Sequence, residues 1–412
     1  MKLRDYDPKK DREAVQRIWR EVGWSEIDNK RQAMALDLLA TCGRALVAEV
    51  NGEAECVVLA APGSMRYLDE DIPFSAITAV ATSRVARKQG LAKRLTSLAV
   101  VRDAAEGAPI AGLGVFDQGY YNQLGFGSGG YEHWIAFDPA QLEIKVKARI
   151  PRRISRDDWA MVHASRLARL RGHGSCNLHP PQITQAEMLW NEKGFGLGYC
   201  DGPTGELTHH LWCSVKDMEY GPYTIEWMSF QTRDQFLELM ALIRSWGDQV
   251  RLVRMREPQG TQLQDMVEQP LRQRHVSEKS EFESRIEAIA YWQMRMCDLP
   301  GCLERTHLPS DEVRFNLTLS DPIKRLLNDD TPWHGIAGHY VVTLGPSSGA
   351  EPGREASLPT LKASVGAFTR MWLGVRPATG LAVTDRVSGP QELLEKLDCA
   401  LRLPDPKPDW EY

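Results

Sequence analysis

The 412-residue chain lacks any apolar run long enough to cross a bilayer, so no membrane segment is expected. Met1-Lys2-Leu3-Arg4 runs directly into Asp5 and more charge, so no secretory signal core is expected. Strong charge of either sign is missing too. The net charge is −5, whereas a nucleic-acid binder would usually be basic, so no nucleic-acid partner is expected. Eight cysteines are scattered without a framework, which fits reduced thiols in a cytoplasmic protein. The closest pair, Cys297 and Cys302, has no Cys/His pair beside it, and His173, His179, His209 and His210 have no ligand spacing around them. No metal is expected. The phosphate loops G-x-x-x-x-G-K-[ST] and G-x-G-x-x-G are likewise missing.

What the chain does have begins at residue 76. Residues 76–82 are small and β-branched and read as a strand. Residues 90–103 carry Leu91, Leu95, Leu98 and Val101 at helical spacing. Between them lies Arg87-Lys88-Gln89-Gly90-Leu91-Ala92. Gly90 has no Cβ, so its backbone can approach a bulky anion. The unpaired N–H groups and positive dipole end of a helix start favour phosphate at that point. Arg87, Lys88, Lys93 and Arg94 add fixed positive charge. The stretch reads as a pyrophosphate cradle, and strand, R-x-x-G-x-A and helix together resemble the acetyl-coenzyme A site of GNAT acyltransferases.

After the next expected strand, at 110–116, comes Gly119-Tyr120-Tyr121-Asn122-Gln123-Leu124-Gly125-Phe126. It resembles the Y-x-x-L-G-F signature of the same enzymes. That resemblance makes Tyr121 the acid that protonates the departing coenzyme thiolate, and Tyr120 a structural neighbour. A phenol near pKa ~10 is matched to a thiolate of slightly lower pKa.

Read in order, the chain has a strand at 2–6, a helix to about residue 22 capped by Asp7 or Asp11, and a helix at 30–41. A hairpin follows, turning at Asn51-Gly52 between apolar runs 45–50 and 53–59. Trp24, Glu26 and Asp28 connect the two helices. With the cradle, the 110–116 strand and a strand at 132–137, this gives one complete β-α-α-β-β-β-α-β-β unit. Residues 149–159 repeat the opening pattern of basic strand, acidic cap and helix. Strands at 195–200, 211–215, 223–229 and 250–255 and a helix at 232–246 complete a second unit. It has no R-x-x-G-x-A, so it reads as scaffold. A third unit begins near Glu304, with strands at 313–319 and 333–343 and a helix at 391–401.

Taken whole, the sequence resembles the Eis (enhanced intracellular survival) acetyltransferases. Besides the two motifs above, the resemblance rests on Gln293-Met294-Arg295-Met296-Cys297-Asp298-Leu299-Pro300-Gly301, on Phe368-Thr369-Arg370-Met371-Trp372-Leu373-Gly374, and on an aromatic last residue after a glutamate. It implies an α/β (α+β) architecture of tandem GNAT folds followed by a sterol-carrier-protein-like domain. The expected divisions are 1–148 (active GNAT), 149–303 (degenerate GNAT) and 304–412. It further implies a homo-hexamer that uses acetyl-CoA as cosubstrate. The acceptor would be a primary amine of an aminoglycoside, a polyamine-like cation or a lysine side chain, acetylated by direct attack in a ternary complex.

By the same resemblance the α-carboxylate of Tyr412 is the base. Such a group titrates near pKa ~3.5, far below an ammonium, so it would orient the amine and collect its proton during attack. Ala79, Val80, Ala81 and Thr82 would hold the pantetheine arm, and Arg87 through Ala92 the pyrophosphate. Trp24, Glu26, Asp28 and Glu411 are the expected acceptor contacts, because an aromatic wall with carboxylates suits a polyamine. The competing reading is a non-catalytic coenzyme A sensor or a carrier of an apolar ligand in the third unit.

Overall fold

The computed structural model describes residues 1–26, 29–191 and 193–412. Asp28, one of the expected acceptor contacts, lies outside the described residues. The chain divides into two compact units. The first comprises Met1–Gly130, Gly172–Pro180 and Ala290–Tyr412, the second Tyr131–Arg171 and Pro181–Ile289.

The first unit opens with strand β1 (Lys2–Asp5) and helix α1 (Pro8–Glu21). Asp7 caps α1 by accepting from the Lys9 N–H, and Pro8 occupies a position that needs no donor. Val15, Ile18 and Trp19 form its buried stripe. Asp11, the alternative cap, is instead buried in a bidentate pair with Arg4 at 2.6 and 2.8 Å. Helix α2 (Lys30–Leu39) is capped by Asn29. Strands β2 (Arg44–Val50) and β3 (Glu53–Tyr67) meet at Asn51 and Gly52, whose φ values of 53° and 93° make the tight turn the N-G pair predicts.

β3 pairs with β4 (Glu70–Thr82) along nearly its whole length, well beyond the 53–59 and 76–82 runs. Pro62 inside β3 hides this extension from a sequence reading. Its lack of an N–H is tolerated because β2 pairs with β3 only as far as Ala60, while the strand Cys176–Leu178 takes over only at Gly63. Helix α3 (Leu91–Ala105) then crosses over to β5 (Ile110–Gly114), which runs parallel to β4. The sheet runs β1, β2, β3, β4, β5, Trp292–Met296, Gly127–Ser128. One face buries Cys56, Val58, Ile77, Ala111 and Leu113 against Leu91, Leu95 and Ala99 of α3.

Also in this unit is a five-stranded sheet ordered 349–352, 338–344, 313–320, 360–364, 387–388. Its helix Val365–Trp372 carries Phe368, Met371 and Trp372 inward.

The second unit is built on a seven-stranded sheet ordered 285–289, 132–137, 253–256, 223–229, 209–215, 195–199, 152–154. It repeats the β-α-β plan, since Tyr223–Ser229 and Val253–Arg256 are parallel and joined by helix Arg233–Arg244. Three sheets therefore replace a single large one, which is consistent with the expected tandem GNAT folds plus a third domain.

Two strands cross the consecutive divisions expected at 148 and 303. Glu132–Phe137 belongs to the second unit's sheet, and Trp292–Met296 closes the edge of β5 in the first. Alternation along a strand shows which residues face a core but not which sheet supplies the partner, so neither assignment is readable from pattern.

Candidate active site

β4 and β5 are paired only from Phe74/Ile110 to Ile77/Leu113, whereas β4 continues to Thr82. Past that point the two strands part. The register of β4 against β3 slips between Val57 and Leu59, and Ala79 adopts a left-handed φ of 55°. This bulge turns backbone groups of β4 away from the regular ladder, toward the gap. Thr78, Ala79, Val80 and Thr82 are half-buried, while Phe74 through Ile77 are buried. Beyond Ile77 the backbone of β4 is thus not paired with β5.

Beyond the end of β4 at Thr82 comes the start of α3. Gly90 sits at the N-cap with φ 73° and no capping side chain, and open space surrounds the position a Cβ would take. The N–H groups of Gly90, Leu91 and Ala92 have no partner among the described residues. Arg87, Lys88 and Gln89 are exposed beside them. None of Arg87, Lys88, Lys93 and Arg94 makes an ion pair among the described residues; Lys93 donates to Gln123 at 3.0 Å. Four cations without an ion pair among the described residues, beside uncapped helix N–H groups, are an arrangement that favours an anion. The equivalent helix of the second unit is closed by its own side chains. Thr232 accepts from the Gln235 N–H, and Gln235 accepts in return from the Thr232 N–H.

Tyr121 opens a single 3-10 turn, Tyr121–Leu124, and is 3% exposed. Its ring packs edge-on to Tyr120 and Phe126 and shares the cluster that contains α3 and Cys56. Among the described residues its hydroxyl has no hydrogen-bond partner. Burial pushes the phenol above its ordinary range, with Tyr120 and Cys56 adding to the effect, so it stays protonated through the physiological range. The rest of the motif serves the turn. Leu124 and Phe126 are buried, and Gly125 ends the turn with φ 84° at a place where a Cβ would meet Val365 at 2.5 Å.

The last residues thread into the same unit. The Lys407 N–H donates to the His173 carbonyl at 3.1 Å, and the Cys176 N–H to the Pro408 carbonyl at 2.7 Å. Trp410 is buried. The Tyr412 ring stands 5.4 Å from Phe74 of β4. Its hydroxyl would lie 2.8 Å from a Cβ at Gly112, and its main-chain oxygen 3.0 Å from one at Gly114. Gly112 and Gly114 alternate with Ala111 and Leu113, so Tyr412 lies on the face of β5 opposite α3. That is the end of β5 at which the strands part.

Of the expected site residues, Tyr121 shares a cluster with the buried face of α3, Ala79 to Thr82 and Arg87 to Ala92 lie on the end of β4 and the approach to α3, and Tyr412 packs against β4 and β5 at Phe74, Gly112 and Gly114. Trp24 packs edge-on to Trp19 at 5.3 Å, and Glu26 contacts Gln32 and Asn29, so their described contacts stay within the α1–α2 connection. Glu411 is exposed. Phe74, Gly112 and Gly114 were missed. The signal was present, because glycines two apart in a strand mark one face open to a close approach.

In the second unit Asp201, His209 and Glu238 bring ligand atoms within 4.8 Å of one another, a cluster that spacing along the chain does not reveal. Arg149 donates to Asp201 at 2.7 and 2.9 Å and to Glu238 at 2.8 Å, so a guanidinium already neutralises the carboxylates a cation would need. A cavity of about 530 Å³ in the first unit, lined by Asp5, Tyr6, Arg12, Asp37 and Arg44, lies apart from the site. No helix among the described residues is long and apolar enough to cross a membrane.

Residues 4–129 match the family model of the GNAT acetyltransferase domain. No curated protein matches the sequence. Solved structures do match the fold over its length. A GCN5-related N-acetyltransferase of Kribbella flavida has a TM-score of 0.76 at 17% identity, covering 100% of this chain and 98% of its own. Eis1 of Mycobacterium abscessus has a TM-score of 0.74 at 15% identity, with 100% of each chain covered. A probable N-acyltransferase of Enterococcus faecalis V583 has a TM-score of 0.76 at 16% identity, covering 98% and 96%.

Proposed function

Residues 4–129 are a GNAT acetyltransferase domain, which makes the chain an acetyltransferase by its first domain, within a fold that is Eis-like over its length; on that premise we propose that it moves acetyl from acetyl-CoA to a primary amine of a cationic small molecule or a lysine side chain. The observation that supports this reading is the presence in one unit of an uncapped helix start beside cations, a bulged strand edge, a buried phenol packed near that helix and a last residue packed on β4 and β5.

In this reading the N–H groups of Gly90 to Ala92, with Arg87 and Lys88, take the pyrophosphate, and Gln89 lines the turn. Ala79 to Thr82 hold the pantetheine arm by strand-like hydrogen bonds, and a backbone N–H of the bulge polarises the thioester carbonyl. The neutral amine attacks the carbonyl carbon within the ternary complex. An N–C bond forms and the C–S bond breaks. The ammonium proton passes to the Tyr412 carboxylate or to a water it holds, and Tyr121 gives its proton to the departing sulfur. Burial of Tyr121 makes it a weaker acid in isolation, but the same dry surroundings raise the proton affinity of the thiolate. The carboxylate of Tyr412 also supplies the negative charge that selects a cationic acceptor. Glu411, Trp24 and Glu26 are outer acceptor contacts in this scheme.

Incubation with acetyl-CoA and a panel of aminoglycosides, polyamines and lysine peptides, with mass spectrometry and thiol release as readouts, tests the reading. Acetylated amine and free coenzyme A are expected in equal amounts. Acetyl-CoA binding with no acetylated amine from any class would favour the non-catalytic sensor instead.

A further inference from the structure

The strand Trp292–Met296 lies far along the sequence from Tyr121, yet it sits beside the turn that carries it. Two of its side chains, Gln293 and Arg295, point to the same face. Both are fully buried. Gln293 Nε2 donates to Asn122 Oδ1 at 3.2 Å and to Ser128 Oγ at 3.0 Å. Asn122 is thereby fixed at three points, because its Oδ1 also accepts from the Gly119 N–H at 2.9 Å and its Nδ2 donates to the Phe126 carbonyl at 3.1 Å. Arg295 Nη1 donates to the Leu124 carbonyl, at the other end of the turn. Its Nη2 is paired with Asp321 at 2.7 Å, and the guanidinium stands 5.1 Å from the Trp333 ring centroid. Asp321 in turn accepts from the N–H groups of Ile323 and Ile336.

A one-turn 3-10 helix has little stability of its own. Its orientation must come from outside, and here two buried donors grip its two ends. We propose that Gln293 and Arg295 are positioning residues that hold the Tyr121 hydroxyl on the leaving sulfur, with Asp321 anchoring Arg295 to the third sheet. The proposal rests on the acid role given to Tyr121 above. Neither residue touches substrate; both act through the turn. The arrangement makes the acid depend on a strand and a loop more than 170 positions further along the chain.

A double-mutant cycle between Gln293→Met and Tyr121→Phe tests it, with Asn122→Ser, at an exposed position, as the second variant. Gln293→Met and Asn122→Ser should each lower kcat about 10- to 100-fold, the effect expected of a slightly misplaced catalytic group, with KM for acetyl-CoA unchanged. In the Tyr121→Phe background neither should lower kcat further, because groups acting as a unit are not additive. A loss that multiplies with that of Tyr121→Phe, or one that raises KM alone, would overturn the positioning role while leaving the acid intact. Full turnover by Tyr121→Phe itself would remove the acid and the reason for the grip together.

Discussion

Tyr121 shows how far a single residue was legible and where legibility stopped. Y-x-x-L-G-F reads as a functional motif, but most of its letters are structural here: Leu124 and Phe126 are buried, and Gly125 supplies a left-handed φ where a side chain would collide with Val365. Only the phenol is left, and among the described residues its hydroxyl has no hydrogen-bond partner. Tyr121→Phe should therefore fold normally and bind acetyl-CoA as before, while kcat falls about 10²- to 10⁴-fold, the usual contribution of a general acid. Calorimetric titration of the cofactor beside steady-state rates checks both halves, and equal loss of binding and turnover would contradict the acid role. The acceptor contacts were the opposite case. Trp24 and Glu26 have the right chemistry for a cation, but ring and carboxylate composition says nothing about direction, and their described contacts remain with Trp19, Asn29 and Gln32.

Among elements, α3 was the most legible, because a helix start announces itself by glycine, charge and apolar period within one short stretch. β5 was the least. Its sequence Ile110-Ala-Gly-Leu-Gly114 reads as a buried strand, and the use of its two glycines depends on a chain end that arrives from nearly 300 residues away. Gly114→Val should expel Tyr412 from the strand, because even a Cβ there lies 3.0 Å from its main-chain oxygen. Acetyl-CoA affinity should be retained and turnover should fall at least about tenfold, as for a displaced reacting partner. A C-terminal extension of a few residues should act the same way through loss of the carboxylate. Full turnover in both variants would take Tyr412 out of the reaction.

For the whole molecule, the sequence pattern pointed to two similar β-α-β plans and further strands after them, but not to the exchange of strands between sheets, since backbone hydrogen bonds carry no sequence label. The tail is held through His173. Its Nδ1 accepts from the Leu68 N–H at 3.1 Å, so the proton sits on Nε2, which donates to the Leu373 carbonyl at 3.0 Å. Burial lowers this imidazole from 6.5 to about 4. In the second unit burial lowers His210 to about 3. The unfolded chain takes up these protons at a higher pH than the folded one, so stability is full above about 6.5 and declines as pH falls through 4 toward 3. His173→Gln keeps an acceptor and a donor without titrating. It should flatten the decline between pH 6.5 and 4 seen by calorimetric unfolding, leaving the contribution of His210; an unchanged slope would show that His173 is not a source of the acid sensitivity.

The central claim is that one opening between β4 and β5 grips a diphosphate and presents a thioester to an amine. A crystal structure of the chain with coenzyme A tests it most directly. The account predicts the pyrophosphate on the N–H groups of Gly90, Leu91 and Ala92, the pantetheine along Ala79 to Thr82, and the sulfur within hydrogen-bond reach of the Tyr121 hydroxyl. Coenzyme A bound with its diphosphate away from the start of α3, or with its sulfur out of reach of Tyr121, would contradict it.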